Sequence, residues 1–256
     1  MINGETSGGQ AEIIVALDEP SLDEARKLMD RLAGRARFYK VGLQLFIAEG
    51  AAAIEAAQAR GARVFLDLKL HDIPNTVASA VRSARDLGVD LCTIHLGGGP
   101  EMCAAAVEEA GDTMTILGVT VLTSSNQATL EACGVHGSVG EQVVRLAKMG
   151  QAAGVRGFVA SALELPLLRA ELGPEPLLVI PGVRPAGADV GDQKRTATPA
   201  EVVRGGATHL VIGRPISRAA DPGEAFARIA GEVNSAQANS SGTERLPYQT
   251  VGKADK

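Results

Sequence analysis

The chain has no tryptophan, and five phenylalanines and two tyrosines are its whole aromatic complement in 256 residues. Its core must therefore be built from Ala, Val, Leu and Ile, a composition that suits helices packed around a parallel sheet. Only Cys92, Cys103 and Cys133 are present, an odd set without CxxC spacing. That excludes a disulfide framework or a zinc site and predicts reduced thiols in a cytoplasmic protein. No apolar run reaches 18 residues, so no membrane span is expected. Residues 1–10 are polar and glycine-rich, without the apolar centre of a signal peptide, and 1–11 are expected to be flexible. Positive charge is not in excess. The net charge of -5 argues against a general affinity for nucleic acid, although it leaves room for one anionic small substrate held by local Arg and Lys. The four histidines, His71, His95, His136 and His209, are too dispersed to make a convincing metal cluster.

What the chain does have is a repeated alternation. Apolar, β-branched runs recur at 13–18, 38–42, 64–69, 91–96, 114–122, 157–161, 177–182 and 209–214, eight in all. Ala-rich stretches of helical spacing lie between most of them, at 21–33, 47–60, 76–87, 101–110 and 139–153, and a final helix is expected at 222–233. Strands alternating with helices predict a parallel sheet, and eight such units in one domain favour a (β/α)₈ TIM barrel over 12–233. A doubly wound sheet is the runner-up. Gly97-Gly98-Gly99 does not support it, because it lacks the GxGxxG spacing and follows the fourth run instead of the first. The remainder, 234–256, is rich in Ser, Gln, Asn and Thr and reads as mostly disordered.

One strand carries charge where charge is costly. In Phe65-Leu66-Asp67-Leu68-Lys69-Leu70-His71-Asp72-Ile73-Pro74, alternate side chains share a face, so Asp67 and Lys69 project together while Leu68 points away. Asp72 follows just past the strand end. Buried charges need partners. Lys40, on the preceding strand, would lie about 4.8 Å away if the two strands are neighbours. Lys40, Asp67, Lys69 and Asp72 then form a string of alternating sign, which keeps Lys69 protonated and Asp67 ionised. A charged lysine so held can deliver a proton or stabilise a carbanion. The plainer reading is an ion pair that holds a loop.

Barrel chemistry sits at the C-terminal ends of the strands. Those ends carry Asp18, Lys40, Asp67 with Lys69, His95, Thr123 with Ser124, Arg184 and Gly213-Arg214, a convergence of polar groups on one rim. The last strand also suggests an anion site. Gly213 allows close backbone approach, Arg214 supplies a charged fork, and Pro215 suits the first position of a helix. Arg184 and Gln193 bracket a glycine-rich loop that could close over a phosphate.

These residues resemble the orotidine 5′-phosphate decarboxylase family, bacterial type. The resemblance is carried by Val15-Ala16-Leu17-Asp18, Lys40-Val41-Gly42, the run from Phe65 to Thr76, Val121-Leu122-Thr123-Ser124, Pro181-Gly182-Val183-Arg184, Asp192-Gln193 and Val211-Ile212-Gly213-Arg214, and it extends from about Ile13 to Val233. It implies a cofactor-independent barrel enzyme, usually a homodimer with shared active sites, that converts orotidine 5′-phosphate to UMP and CO₂ in the last step of de novo UMP synthesis. It further implies that Lys69 donates the proton to C6 and that Lys40, Asp67 and Asp72 complete the charged array, Asp72 serving the neighbouring subunit. Asp18 and Lys40 would contact the ribose hydroxyls, Thr76 the substrate across the dimer, and Thr123 the pyrimidine. Arg184, Gln193, Gly213 and Arg214 would hold the phosphate and lid.

Two alternatives stand beside it. A Mg²⁺-dependent sugar-phosphate decarboxylase or aldolase of the same superfamily would also carry an Asp-x-Lys-x-x-Asp strand, but Lys40 would repel its metal. A non-catalytic nucleotide-binding barrel would have no need to bury four charges.

Overall fold

In a computed structural model the chain is described over residues 11–185 and 197–241. Eight strands, β1 (Glu12–Leu17), β2 (Phe38–Gly42), β3 (Arg63–Leu70), β4 (Leu91–His95), β5 (Thr115–Val119), β6 (Gly157–Val159), β7 (Leu177–Ile180) and β8 (His209–Ile212), close into a barrel in sequence order. All neighbours are parallel, and β1 joins β8 through pairs such as Ile14↔Val211. Between them run α1 (Leu22–Arg31), α2 (Leu43–Glu49), α3 (Ala51–Gln58), α4 (Pro74–Asp86), α5 (Pro100–Ala110), α6 (Gln127–Ala132), α7 (Val139–Ala152), α8 (Leu165–Leu172), α9 (Pro199–Arg204), α10 (Arg214–Ser217) and α11 (Pro222–Ser241).

Strand alternation divides the apolar residues into two cores. Inward positions, Ile14, Phe38, Phe65, Leu91, Leu117, Val179 and Val211, fill the barrel. Outward positions such as Val15, Tyr39, Leu66 and Ile94 pack beneath the helices. The same parity turns Lys40, Asp67 and Thr93 inward, one step above the apolar plug formed by Phe38, Phe65 and Leu91.

The helices depart from expectation in three places. The stretch 47–60 is two helices, broken where Gly50 takes φ 57°, and the first begins earlier, at Leu43. α10 starts at Arg214, so Pro215 is its second residue and not its first. The polar segment after Val233 continues α11 to Ser241, so 234–241 is helical where the composition suggested disorder. No Gly or Pro interrupts it there, an established helix propagates at little cost, and Ala236 is buried. Residues 1–10 and 242–256 lie outside the described residues. No helix among the described residues is long and apolar enough to cross a membrane.

Charges close the bottom of the barrel. Arg63 Nη1 donates to Glu12 Oε2 at 2.8 Å and its guanidinium covers the Phe38 ring at 4.1 Å, while His209 Nε2 sits 3.4 Å from the same carboxylate. The hydrogen bond from His209, against the opposing effect of burial and with help from Arg63, holds the Glu12 carboxyl down at about 2. The folded carboxyl thus titrates below its ordinary 4.5, so the pairing contributes fully above that value and is lost as pH falls towards about 2. Glu12 is half exposed, and solvent screening limits the contribution to about 1 kcal/mol. Glu12→Gln is accordingly expected to be less stable than wild type near neutral pH, with the difference shrinking below about 4.5 and vanishing only towards about pH 2, as read by denaturant titration. A difference that persists unchanged in acid would show that the pair contributes nothing.

Candidate active site

The barrel's C-terminal mouth gathers four charges from three adjacent strands. Parallel register sets Lys40 beside Ala16 and Phe65, and Gly42 beside Asp67. Lys40 Nζ donates to Asp18 Oδ1 at 2.9 Å and lies 3.7 Å from Asp67 Oδ2. Lys69 Nζ donates to Asp67 Oδ1 at 2.8 Å. The result is a chain Asp18, Lys40, Asp67, Lys69 of alternating sign. Gly42 leaves room for it, since a Cβ there would stand 2.7 Å from Lys40 Nζ. Burial by itself would raise the Asp67 carboxyl. Lys40, Lys69 and the hydrogen bonds from Lys69 and Thr93 outweigh it, and the group is held below the usual carboxylate range and stays ionised.

Lys69 reaches this position through unusual backbone. Its φ is 51°, a left-handed conformation that costs a non-glycine residue about 1 kcal/mol or more. The register with β4 passes from Leu66↔Cys92 directly to Leu70↔Ile94, so four steps of β3 span two of β4. Two residues are accommodated, an even number, and Leu66 and Leu70 both stay against the helices. The bulge throws Asp67 and Lys69 into the mouth. Thr93, fully buried on β4, faces it, a residue that pattern reading passed over.

Beside the charges lies a cavity of about 150 Å³ with Phe65, Val119, Val159 and Val211 as apolar walls and Thr123 and Pro181 also in its lining. The expected residues are therefore only partly assembled. Lys40, Asp67, Lys69 and Thr123 line one cavity, with Asp18 tied in through Lys40. Gly213 caps α10 and brings its backbone near Asp18, a Cβ there falling 3.5 Å from Asp18 Oδ2, and Arg214 follows it. Arg184 is buried; its Nη1 donates to the Val183 carbonyl and its backbone N–H to the Ala197 carbonyl, 3.0 Å each, which joins the two ends of the 186–196 segment. Gln193 lies outside the described residues. Asp72 and Thr76 stand apart. Both are exposed, and the Asp72 carboxylate accepts from the Ile73 N–H at 2.7 Å instead of from Lys69. The charge chain thus gains Asp18 at its Lys40 end, while Asp72, expected at the Lys69 end, does not join it. His95 stacks near His71, ring centroids 5.5 Å apart, and burial, then the positive charge of His71 and Lys69, keeps it below its ordinary range.

Comparison with known proteins adds lineage to this geometry. A family model described as the orotidine 5′-phosphate decarboxylase / HUMPS family matches residues 11–229. The orotidine 5′-phosphate decarboxylase of Anaeromyxobacter sp. (strain K) is 52% identical over 218 residues, covering 85% of this chain and 96% of its own. That of Moorella thermoacetica is 49% identical over 231 residues, covering 87% and 92%. The crystal structure of the Lactobacillus acidophilus orotidine 5′-phosphate decarboxylase superposes with a TM-score of 0.77 at 34% identity, covering 88% of this chain and 99% of that one.

Proposed function

This chain belongs to the orotidine 5′-phosphate decarboxylase family, and from that premise we propose how its residues carry the reaction. It decarboxylates orotidine 5′-phosphate to UMP and CO₂ in pyrimidine biosynthesis. The observation that carries the mechanism is the ion-pair chain Asp18, Lys40, Asp67, Lys69, whose last three members line a largely apolar cavity.

Loss of CO₂ from C6 leaves a carbanion with little resonance help. The Lys69 ammonium stabilises that charge through space and then delivers a proton to C6. Asp67, held ionised, sits beside the departing carboxylate, and repulsion is relieved as neutral CO₂ forms. The cavity is small beside the ~300–1,000 Å³ of drug-sized pockets, so it holds the pyrimidine, with Thr123 at the ring edge, while ribose and phosphate run along the rim. The Lys40–Asp18 pair offers a donor and an acceptor to the ribose hydroxyls. Arg184, Gln193, Gly213 and Arg214 take the phosphate, whose binding energy supports assembly of the site. No cofactor is required in this scheme. In the magnesium-dependent alternative a cation would have to displace Lys40, whose charge Asp18 and Asp67 already neutralise.

The working unit in this reading is a homodimer in the cytoplasm, Asp72 and Thr76 reaching the partner's site. Its support is exposed apolar side chains at this rim: Leu43 and Ile47 on α2, which follows β2, and Ile73, next to Asp72 and after the adjacent strand β3, are 50%, 79% and 66% exposed. Apolar groups so exposed on one rim mark an interaction surface. The ultraviolet loss of orotidine 5′-phosphate with purified protein and chelator tests the reaction and its independence of metal together. Activity abolished by chelator and restored by Mg²⁺ would favour the alternative.

Arg214→Ala is expected to weaken UMP binding by about 1.5–3 kcal/mol, the range for a charged hydrogen bond, and to leave uridine binding nearly unchanged. Titration calorimetry with the two ligands checks this. Equal losses for both would make Arg214 a structural residue.

A further inference from the structure

We propose that Thr93 is the positioning residue for the Lys69–Asp67 pair, its hydroxyl setting the angle at which Lys69 enters the site. The inference rests on Lys69 as the proton donor and adds a residue of β4 to a charge chain otherwise drawn from β2, β3 and the residue that follows β1.

The geometry begins with a gap in the ladder. Between Leu66↔Cys92 and Leu70↔Ile94 the strands β3 and β4 pass out of register, and Lys69 has no register partner on β4. Its backbone N–H donates to the Thr93 side chain, Oγ1, at 2.9 Å. Thr93 Oγ1 in turn donates to Asp67 Oδ1 at 3.0 Å, and the same oxygen accepts from Lys69 Nζ at 2.8 Å. The cycle runs from Lys69 N–H through Thr93 and Asp67 back to the Lys69 ammonium. Its proton positions are fixed by chemistry: a backbone N–H only donates, an ionised carboxylate only accepts, and one hydroxyl supplies one acceptor and one hydrogen. Thr93 is 0% exposed, so no bulk water competes for either bond.

Two needs meet in that hydroxyl. The left-handed backbone at Lys69 is unfavourable for a residue with a Cβ, and it requires an external partner to persist. Asp67 must also keep one oxygen for Lys69 and the other for Lys40, and a donor fixed on Oδ1 prevents the carboxylate from rotating. Valine at the position would match threonine in shape while removing both bonds. Serine would keep both and lose only a methyl group.

The test compares Thr93→Val with Thr93→Ser. The valine variant is expected to lose about tenfold or more in kcat, as expected when a reacting group is misplaced, with KM and the Kd for UMP within about threefold of wild type. The serine variant should keep kcat within about threefold. In a Lys69→Ala background the valine change should have no further effect on the residual rate, because the group it orients is gone. Amide hydrogen exchange at Lys69 gives a readout that does not depend on catalysis: exchange should accelerate by about tenfold or more in Thr93→Val and stay as in wild type in Thr93→Ser. Should the valine variant not fold, Thr93→Ala removes the same hydroxyl and is read in the same way. Wild-type kcat with unchanged exchange in the valine or alanine variant would overturn the proposal. So would equal losses in the serine and valine variants, which would assign the effect to packing. Full turnover in Lys69→Ala alone would instead remove the proton-donor reading, while the exchange result would still decide whether Thr93 holds the Lys69 backbone.

Discussion

Replacing Lys69 by alanine is expected to lower turnover by a factor of about 10³ or more, while the Kd for UMP changes by less than about threefold. The expectation follows from where the ammonium stands. It is paired with a carboxylate that Lys40 also neutralises, and it lines a cavity whose walls, beyond Lys40, Asp67 and Thr123, are apolar. In such surroundings a fixed charge acts on a developing carbanion with little competition from water, and it is also the nearest proton source. UMP has neither the leaving carboxylate nor the carbanion, so its affinity depends on the ribose and phosphate contacts, which the substitution leaves in place. One complication bears on the result. Without Lys69 the Asp67 carboxylate keeps Lys40 and the Thr93 hydroxyl as partners, so the fold should survive the change. Steady-state turnover and UMP calorimetry on the same preparation decide the matter. Turnover within about tenfold of wild type would sink the assignment.

The second large effect is a recovery. Lys69→Ala and Asp72→Ala proteins, each nearly inactive alone, are expected to regain activity when mixed under conditions that exchange subunits. Asp72 lies outside the charge chain of its own barrel, exposed beside Ile73, as a residue destined for a partner's site would. In a mixed dimer one site then carries both defects and the other carries neither. Random exchange makes about half the dimers mixed, so about a quarter of all sites should be intact under two-fold symmetry. If Asp72 served its own barrel, every site would keep one defect. Absence of recovery after exchange verified by mass spectrometry would refute the shared site.

The barrel was legible because its strands are short β-branched runs separated by Ala-rich helical stretches, and both periods are local properties. α8 was not, because Leu165-Pro166-Leu167-Leu168 is apolar on all sides and presents no clean stripe, with Leu168 buried and Leu167 exposed. α6 and α9 are each 6 residues long, too short for a period to declare itself. The same division holds in the site. Parity alone puts Asp67 and Lys69 on one face, and neighbouring strands bring Lys40 to them. The left-handed backbone of Lys69 and the reach of Thr93 depend on a slip between β3 and β4, which is a property of pairing. A lone threonine in an apolar strand gives no warning of it, although its inward parity, two residues before His95 on the rim, was a signal available to pattern reading. Asp18 stood at a strand end and was read for the ribose, yet its tie to Lys40 also makes it part of the array.

The length of the final helix has a practical side for anyone who wishes to trim or label this protein. α11 packs on α9, and Glu232 Oε1 accepts from the Ala200 N–H at 3.3 Å. α9 begins two residues after Ala197, whose carbonyl receives the Arg184 N–H. A cut placed at Val233, where the polar composition begins, would strip Ala236 from its packing and fray the helix that supports α9. A fusion tag or dye attached there would therefore disturb the packing of α11 on α9, whereas one joined at Ser241 would leave the helix intact.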